Sequence, residues 1–242
     1  MKILKPYIIE LAPTLQQHWY NVWPKNKKGK KGKFLGTFPS TTTILNAYPQ
    51  SAHLVKWIAE QGWSEAQRIK SEAGEAGTRV HTAVQSLLEG EQLTREPFSL
   101  EEWYKISTFV SWHKEYNPEI IALEMPIFSR KYKFAGRLDC IAKVGGEINV
   151  IDWKTSSSIY PHFPLQFASY AQAVEEMTDL KIDNTAAFQM GAKNKDGYRF
   201  VLYPEWKEHL KVFRNVYETW KFDYGKKALE PPVLDLPDSL KL

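Results

Sequence analysis

Residues 134–154 read FAGRLDCIAKVGGEINVIDWK, two β-rich runs joined by Gly145-Gly146. Val, Ile, Leu and Phe dominate both runs, and a Gly-Gly pair between such runs marks a two-residue hairpin turn. That turn fixes a register in which opposed residue numbers sum to a constant, and Asp139 falls opposite Asp152. Directly opposed Cβ atoms lie about 4.5–5.5 Å apart, close enough for two carboxylates to share a divalent cation. Alternation puts Lys154 on the same face as Asp152, with Arg137 across the ladder. Apolar residues fill both faces, with Ile141, Ile148 and Val150 beside the carboxylates and Leu138, Cys140, Ile151 and Trp153 opposite. The sheet is therefore expected to be covered on both sides. Two carboxylates there repel and lose hydration unless a cation compensates. A metal ion is one solution, and an ordinary salt bridge of Asp139 or Asp152 with Arg137 or Lys154 is the other.

Working outward, strand-like 120–128 precedes the hairpin, making an antiparallel meander. Residues 51–90 are helical in pattern, with Val80, Val84, Leu87 and Leu88 spaced for a core. A second helix is expected over 100–116, stopped by Asn117-Pro118. Helical periodicity returns over 163–177 and again near 205–222, with strands expected at 186–190 and 198–203. Pro39-Ser40-Thr41-Thr42-Thr43 reads as an N-cap cluster. The order predicts an α/β fold with a small central mixed β-sheet, antiparallel meander plus later strands, flanked by helices. One domain over 1–242 is expected, with a basic N-terminal arm or hairpin at 19–38 and a Pro-rich tail at 230–242.

The chain has 242 residues, 43% hydrophobic and 25% charged, which excludes a disordered or low-complexity protein. A single cysteine, Cys140, excludes a disulfide framework, a four-cysteine iron-sulfur cluster and any multi-cysteine zinc site. No run is long and apolar enough to span a bilayer, and the first residues lack a signal-peptide core, so a cytoplasmic setting is expected. The net charge of +4 is more than supplied by Lys25, Lys27, Lys28, Lys30, Lys31 and Lys33. Such a run is either a solvated hairpin tip or loop or, with Gly29, Gly32 and flanking aromatics, a mobile arm contacting a nucleic-acid backbone.

Gly136-Arg137-Leu138-Asp139 with Asp152-Trp153-Lys154-Thr155 resembles the split motif of the PD-(D/E)XK nuclease superfamily, Asp standing at the variable carboxylate position. Gly77-Thr78-Arg79-Val80-His81 is similar to the helical histidine motif of the RecB-type branch, and Gln166 with Tyr170 to its Gln-x-x-x-Tyr motif. Glu124 matches an acidic position common in these enzymes. Each element alone is weak, since a helical histidine or a Gln and Tyr four apart is more often ordinary packing. Their order and spacing make the set specific. Ser40 to Leu45 looks like the corresponding segment of mitochondrial genome maintenance exonucleases and their bacteriophage relatives.

The resemblance implies a restriction-endonuclease-like core and metal-dependent hydrolysis of DNA phosphodiesters. His81, Asp139, Asp152 and the backbone carbonyl of Trp153 would hold one or two Mg²⁺ or Mn²⁺ ions, with Glu124 as a further carboxylate. Lys154 would stabilise transition-state charge alongside Asp139 and Asp152 as catalytic residues. Arg79, Gln166, Tyr170, Thr155 and Ser156 would position the substrate, with Lys28, Lys30 and Lys31 on the DNA backbone. The expected activity is an exonuclease on single-stranded DNA or DNA ends in replication, recombination or repair, in a bacterial cytosol or phage-infected cell. A duplex-specific exonuclease or endonuclease, and a catalytically silent nucleic-acid-binding protein, stay open, as does the oligomeric state.

Overall fold

The computed structural model describes residues 6–14 and 18–224; the Pro-rich stretch at 230–242 lies outside them. Three strands come first: β1 (Tyr7–Leu11), β2 (Trp19–Pro24) and β3 (Gly36–Pro39). The helices α1 (Thr41–Leu45), α2 (Ala52–Gln61), α3 (Trp63–Leu88) and α4 (Leu100–Tyr116) follow. The meander is β4 (Glu119–Ser129), β5 (Phe134–Val144) and β6 (Glu147–Lys154). Then come α5 (Phe163–Met177), β7 (Asn184–Met190), β8 (Tyr198–Tyr203) and α6 (Trp206–Tyr224).

β1, β2 and β3 form an antiparallel sheet, and the second sheet has the order β4-β5-β6-β7-β8. Only β6 and β7 pair in parallel, so the five-stranded sheet is mixed as expected. A parallel pair needs a crossover, and α5 supplies it. β6 is buried along nearly its whole length, which makes Asp152 a charged residue 3% exposed in the middle of the protein.

Two apolar layers enclose this sheet. One joins Ile141 and Val150 to α5 and α6, and through Trp19, Val22 and Ile44 to the N-terminal sheet. Leu138 belongs to this layer rather than to the opposite one. The other layer packs Val80 and Val84 of α3 and Phe109 and Trp112 of α4 on Cys140, Ile151, Trp153 and Phe188. Phe109, Trp112, Trp153 and Phe188 make mutual edge and tilted contacts at 4.9–6.0 Å. Such pairs are worth about 0.5–1.5 kcal/mol each beyond area burial. Trp153 thus anchors β6 from behind while its neighbours Asp152 and Lys154 turn to the α5 side.

Two features depart from expectation. Gly62, at φ +79, splits the long helical stretch into α2 and α3. β1 pairs with β2, a strand announced by Tyr7-Ile8-Ile9. The lysine run forms the turn of the β2–β3 hairpin. The Asn26 side-chain carbonyl accepts from the N–H groups of Lys28 (2.9 Å) and Lys30 (3.0 Å), and Lys25 bridges Lys31.

Candidate active site

The β5–β6 ladder runs from Val144–Glu147 to Cys140–Ile151, with every pair in the register set by Gly145-Gly146. It stops one pair short of Asp139 and Asp152. Instead, the N–H of Trp153 donates to Asp139 Oδ2 at 2.8 Å, a carboxylate taking a place at the end of the ladder. On its other side, β5 pairs Leu123–Cys140 and then Met125–Leu138, passing over Glu124 and Asp139. Glu124 stands at φ +44, a left-handed conformation that costs a non-glycine residue energy and is tolerated mostly at functional positions. Both ladders of β5 therefore open at Asp139.

A cleft of about 470 Å³ lies over this opening, lined by Glu124, Arg137, Asp139, Trp153, Lys154, Thr155 and Ser156 from the sheet side and by His81 and its neighbours from α3. Gly77 lets α3 approach, because a Cβ there would lie 3.0 Å from Thr155 Oγ1. Gly74, whose Cβ would meet nothing within 4 Å, has no such role. His81 Nδ1 is 3.6 Å from Asp139 Oδ2. Lys154 Nζ donates to Asp152 Oδ2 at 2.6 Å and to Gln166 Oε1 at 3.1 Å, and lies 4.2 Å from the Phe163 ring centroid. Gln166 Nε2 donates in turn to the Tyr170 hydroxyl at 2.9 Å. Gly136 lets Tyr170 against β5, its Cβ position being 3.1 Å from the Tyr170 ring.

Burial first, and then the charge of Asp152, raise the Asp139 pKa well above the usual carboxylate range, against the pull of Lys154 and the Trp153 N–H. Glu124 is also raised, by burial above all, with Arg137 opposing. Burial lowers the His81 pKa, while the charge of Asp152 and the backbone carbonyl of Trp153 pull the other way. A lowered histidine is neutral at physiological pH, the form that ligates metals. Among the described residues, no three His, Cys, Asp or Glu side chains converge into a ready-made ligand shell. Asp152 gives one carboxylate oxygen to Lys154. The donor chemistry fits a hard divalent cation all the same: carboxylates, a carbonyl and a neutral imidazole surround a place where burial makes a second negative charge costly.

Asp139, Asp152, Lys154, His81, Trp153 and Glu124 are thus brought together, with Thr155 and Ser156 on the cleft wall. Gln166 and Tyr170 stand behind Lys154, buttressing it from α5 rather than facing the cleft. Arg79 is not at the site. It is two residues from His81 on a helix, so it points nearly opposite, and it holds Glu102 of α4 at 2.8 Å. Lys28, Lys30 and Lys31 do not line the cleft either, and Lys31 pairs with Glu10 at 2.7 Å on the surface. Arg137, which strand alternation places on this face but to which the sequence assigned no substrate role, lines the cleft, half-exposed and 3.9 Å from Glu124.

Among the described residues, no helix is long and apolar enough to cross a membrane. Residues 104–224 match the family model of the PD-(D/E)XK nuclease superfamily. The chain is 29% identical to mitochondrial genome maintenance exonuclease 1 of Xenopus tropicalis over 64% of its own length and 46% of that protein's. It is 27% identical to the Homo sapiens protein of that name, over 63% and 46%. The chain spans about half the length of these relatives. A putative exonuclease from Eubacterium rectale aligns at 13% identity with a TM-score of 0.42, covering 69% of this chain and 77% of that one. An alkaline exonuclease from Laribacter hongkongensis aligns at 10% with a TM-score of 0.35, covering 79% and 93%. The matched model spans half of the chain and contains the hairpin, its carboxylates and the α5 buttress: the protein belongs to the PD-(D/E)XK nuclease superfamily.

Proposed function

We propose that the chain is a metal-dependent deoxyribonuclease, an exonuclease that hydrolyses phosphodiester bonds in single-stranded DNA or at DNA ends. The observation that carries this reading is the opening of the ladder at Asp139 and Asp152, with Lys154 fixed beside it. Asp139, Asp152, His81 and the Trp153 carbonyl would hold Mg²⁺ or Mn²⁺, with Glu124 close by. A bound divalent cation supplies Lewis-acid polarisation of the phosphoryl oxygen and lowers the pKa of water.

The chain's own residues do the rest. Lys154 has three N–H donors and commits two, to Asp152 and Gln166, leaving one for the attacking water or a developing phosphoryl charge. Phe163 and Phe167 flank the ammonium at 4.2 and 5.3 Å and limit its movement. Gln166 and Tyr170 orient Lys154 rather than a nucleotide. Arg137 takes the phosphate-positioning role expected of Arg79, because it lies on the cleft wall two residues from Asp139. Thr155 and Ser156 offer neighbouring polar contacts, and Gln189 braces their loop by donating to the Ser156 carbonyl at 2.9 Å.

The test follows a single-stranded DNA labelled at its 5′ or 3′ end, with Mg²⁺, Mn²⁺ or EDTA, beside a matched duplex and Asp152→Asn. Metal-dependent shortening by the wild type alone is expected, and the two labels give the polarity. Cleavage retained by Asp152→Asn would overturn the assignment.

A further inference from the structure

The β2–β3 hairpin is the most concentrated positive charge in the chain, and the cleft does not use it. From Leu11 to Ala59 the sequence contains no Asp or Glu, while six lysines fall between Lys25 and Lys33. A solvated loop needs neither this one-sidedness nor a defined backbone. The turn has both. Asn26 clamps it through the Lys28 and Lys30 N–H groups, Gly29 takes φ +73, and Gly32 fits only because a Cβ would meet the Pro24 carbonyl at 2.9 Å. Aspartate would clamp such a turn as well, so the neutral amide leaves the lysine charge uncancelled.

All six lysines are exposed. Lys31 is engaged, ion-paired to Glu10 and 4.0 Å from the Trp23 ring centroid. Lys27, Lys28, Lys30 and Lys33 enter none of the ion pairs among the described residues. Phe34, next in sequence to Lys33, packs against Trp23, their centroids 5.2 Å apart, yet remains 49% exposed. An exposed aromatic ring, supported by Trp23 and on the same hairpin as the lysine run, offers a base a stacking surface while the lysines offer its backbone cations.

We propose that this hairpin is a second nucleic-acid site, separate from the cleft, that docks single-stranded nucleic acid through Lys27, Lys28, Lys30 and Lys33 on phosphates and Phe34 on a base. Lys31 and Trp23 buttress it. A duplex has no free base face to offer Phe34, so single strands are preferred. The proposal rests on the nuclease reading only for the expectation that the bound strand also reaches the cleft.

The test measures fluorescence anisotropy of a labelled thirty-nucleotide dT strand and a duplex of equal length, in EDTA, over a salt series, with the full chain. Replacing Lys27, Lys28 and Lys30 together by Gln is expected to flatten the slope of log affinity against log salt by about 2, at about 0.7 per phosphate contact. The corresponding triple Arg variant should restore it. Phe34→Ser should weaken the single strand about ten-fold and leave the duplex unchanged. An unchanged slope, or a Phe34→Ser variant binding dT like the wild type, overturns the site. Wild-type cleavage with Mn²⁺ is followed in parallel. Hairpin-dependent binding without cleavage overturns the nuclease reading and leaves this site standing, whereas cleavage with unaltered hairpin-variant binding does the reverse.

Discussion

Lys154 and the lysines of the β2–β3 hairpin carry the same charge and are held in opposite ways. Lys154 is 14% exposed, fixed by two oxygen acceptors and flanked by two aromatic rings. Lys27, Lys28 and Lys30 sit on a turn clamped by Asn26, with their side chains exposed. An ammonium that must meet one developing charge needs a single geometry, and burial among fixed partners provides it. Ammonium groups that track a flexible polyanion gain from counterion release, which requires charge density rather than position. Placement, not residue type, separates chemistry from docking.

The largest effect is expected at the two carboxylates, Asp152, which fixes Lys154, and Asp139 beside it. Asp139→Asn and Asp152→Asn should each lower single-turnover cleavage by about a thousand-fold or more, with DNA binding retained. Next, Lys154→Ala should cost about 10²- to 10³-fold in turnover, the usual loss of one preorganised donor. Lys154→Arg should not restore it, since a planar guanidinium cannot reproduce the Asp152 and Gln166 contacts. A Lys154→Ala protein that loses stability but cleaves normally would reduce the residue to a structural ion pair.

A thermal measurement sharpens the same contrast. The folded-state pKa of Asp139 is raised, so its contribution to stability is fully present below the unfolded carboxylate pKa and is lost as pH rises through the folded value. In EDTA, the wild type should therefore lose stability relative to Asp139→Asn as pH is raised from acid toward neutrality, as read by calorimetry. Mn²⁺ should reverse this at neutral pH, raising the wild-type Tm by about 5–10 °C at a hundred-fold excess over Kd and leaving Asp139→Asn nearly unmoved. The smallest effect belongs to the cation outside the site. Arg79→Ala removes a half-exposed partner of Glu102 and should cost about 0–1 kcal/mol in denaturant unfolding, with turnover unaltered. Arg137→Ala, by contrast, should impair cleavage at subsaturating DNA.

Much of this architecture was legible in the chain. Gly145-Gly146 set the register of β5 on β6, and the ladder follows it pair by pair up to the point where the carboxylates take over. The spacing of Val80 and Val84 marked the face of α3 that packs on the sheet. Gln166 and Tyr170, four residues apart on α5, share a face, which the helical period requires.

What the sequence by itself determined is what short-range geometry governs: turns, strand alternation, helical faces and hence the convergence of Asp139 with Asp152 and Lys154. Where long side chains end is settled by packing across the fold. Arg79 finds Glu102 across two helices, Lys31 finds Glu10 across a strand pair, and Gln166 finds Lys154. Backbone hydrogen bonding ties residues at fixed sequence intervals. The reach of an arginine or lysine, in contrast, is settled by the nearest acceptor that folding brings from elsewhere in the chain, and no local pattern encodes that distance.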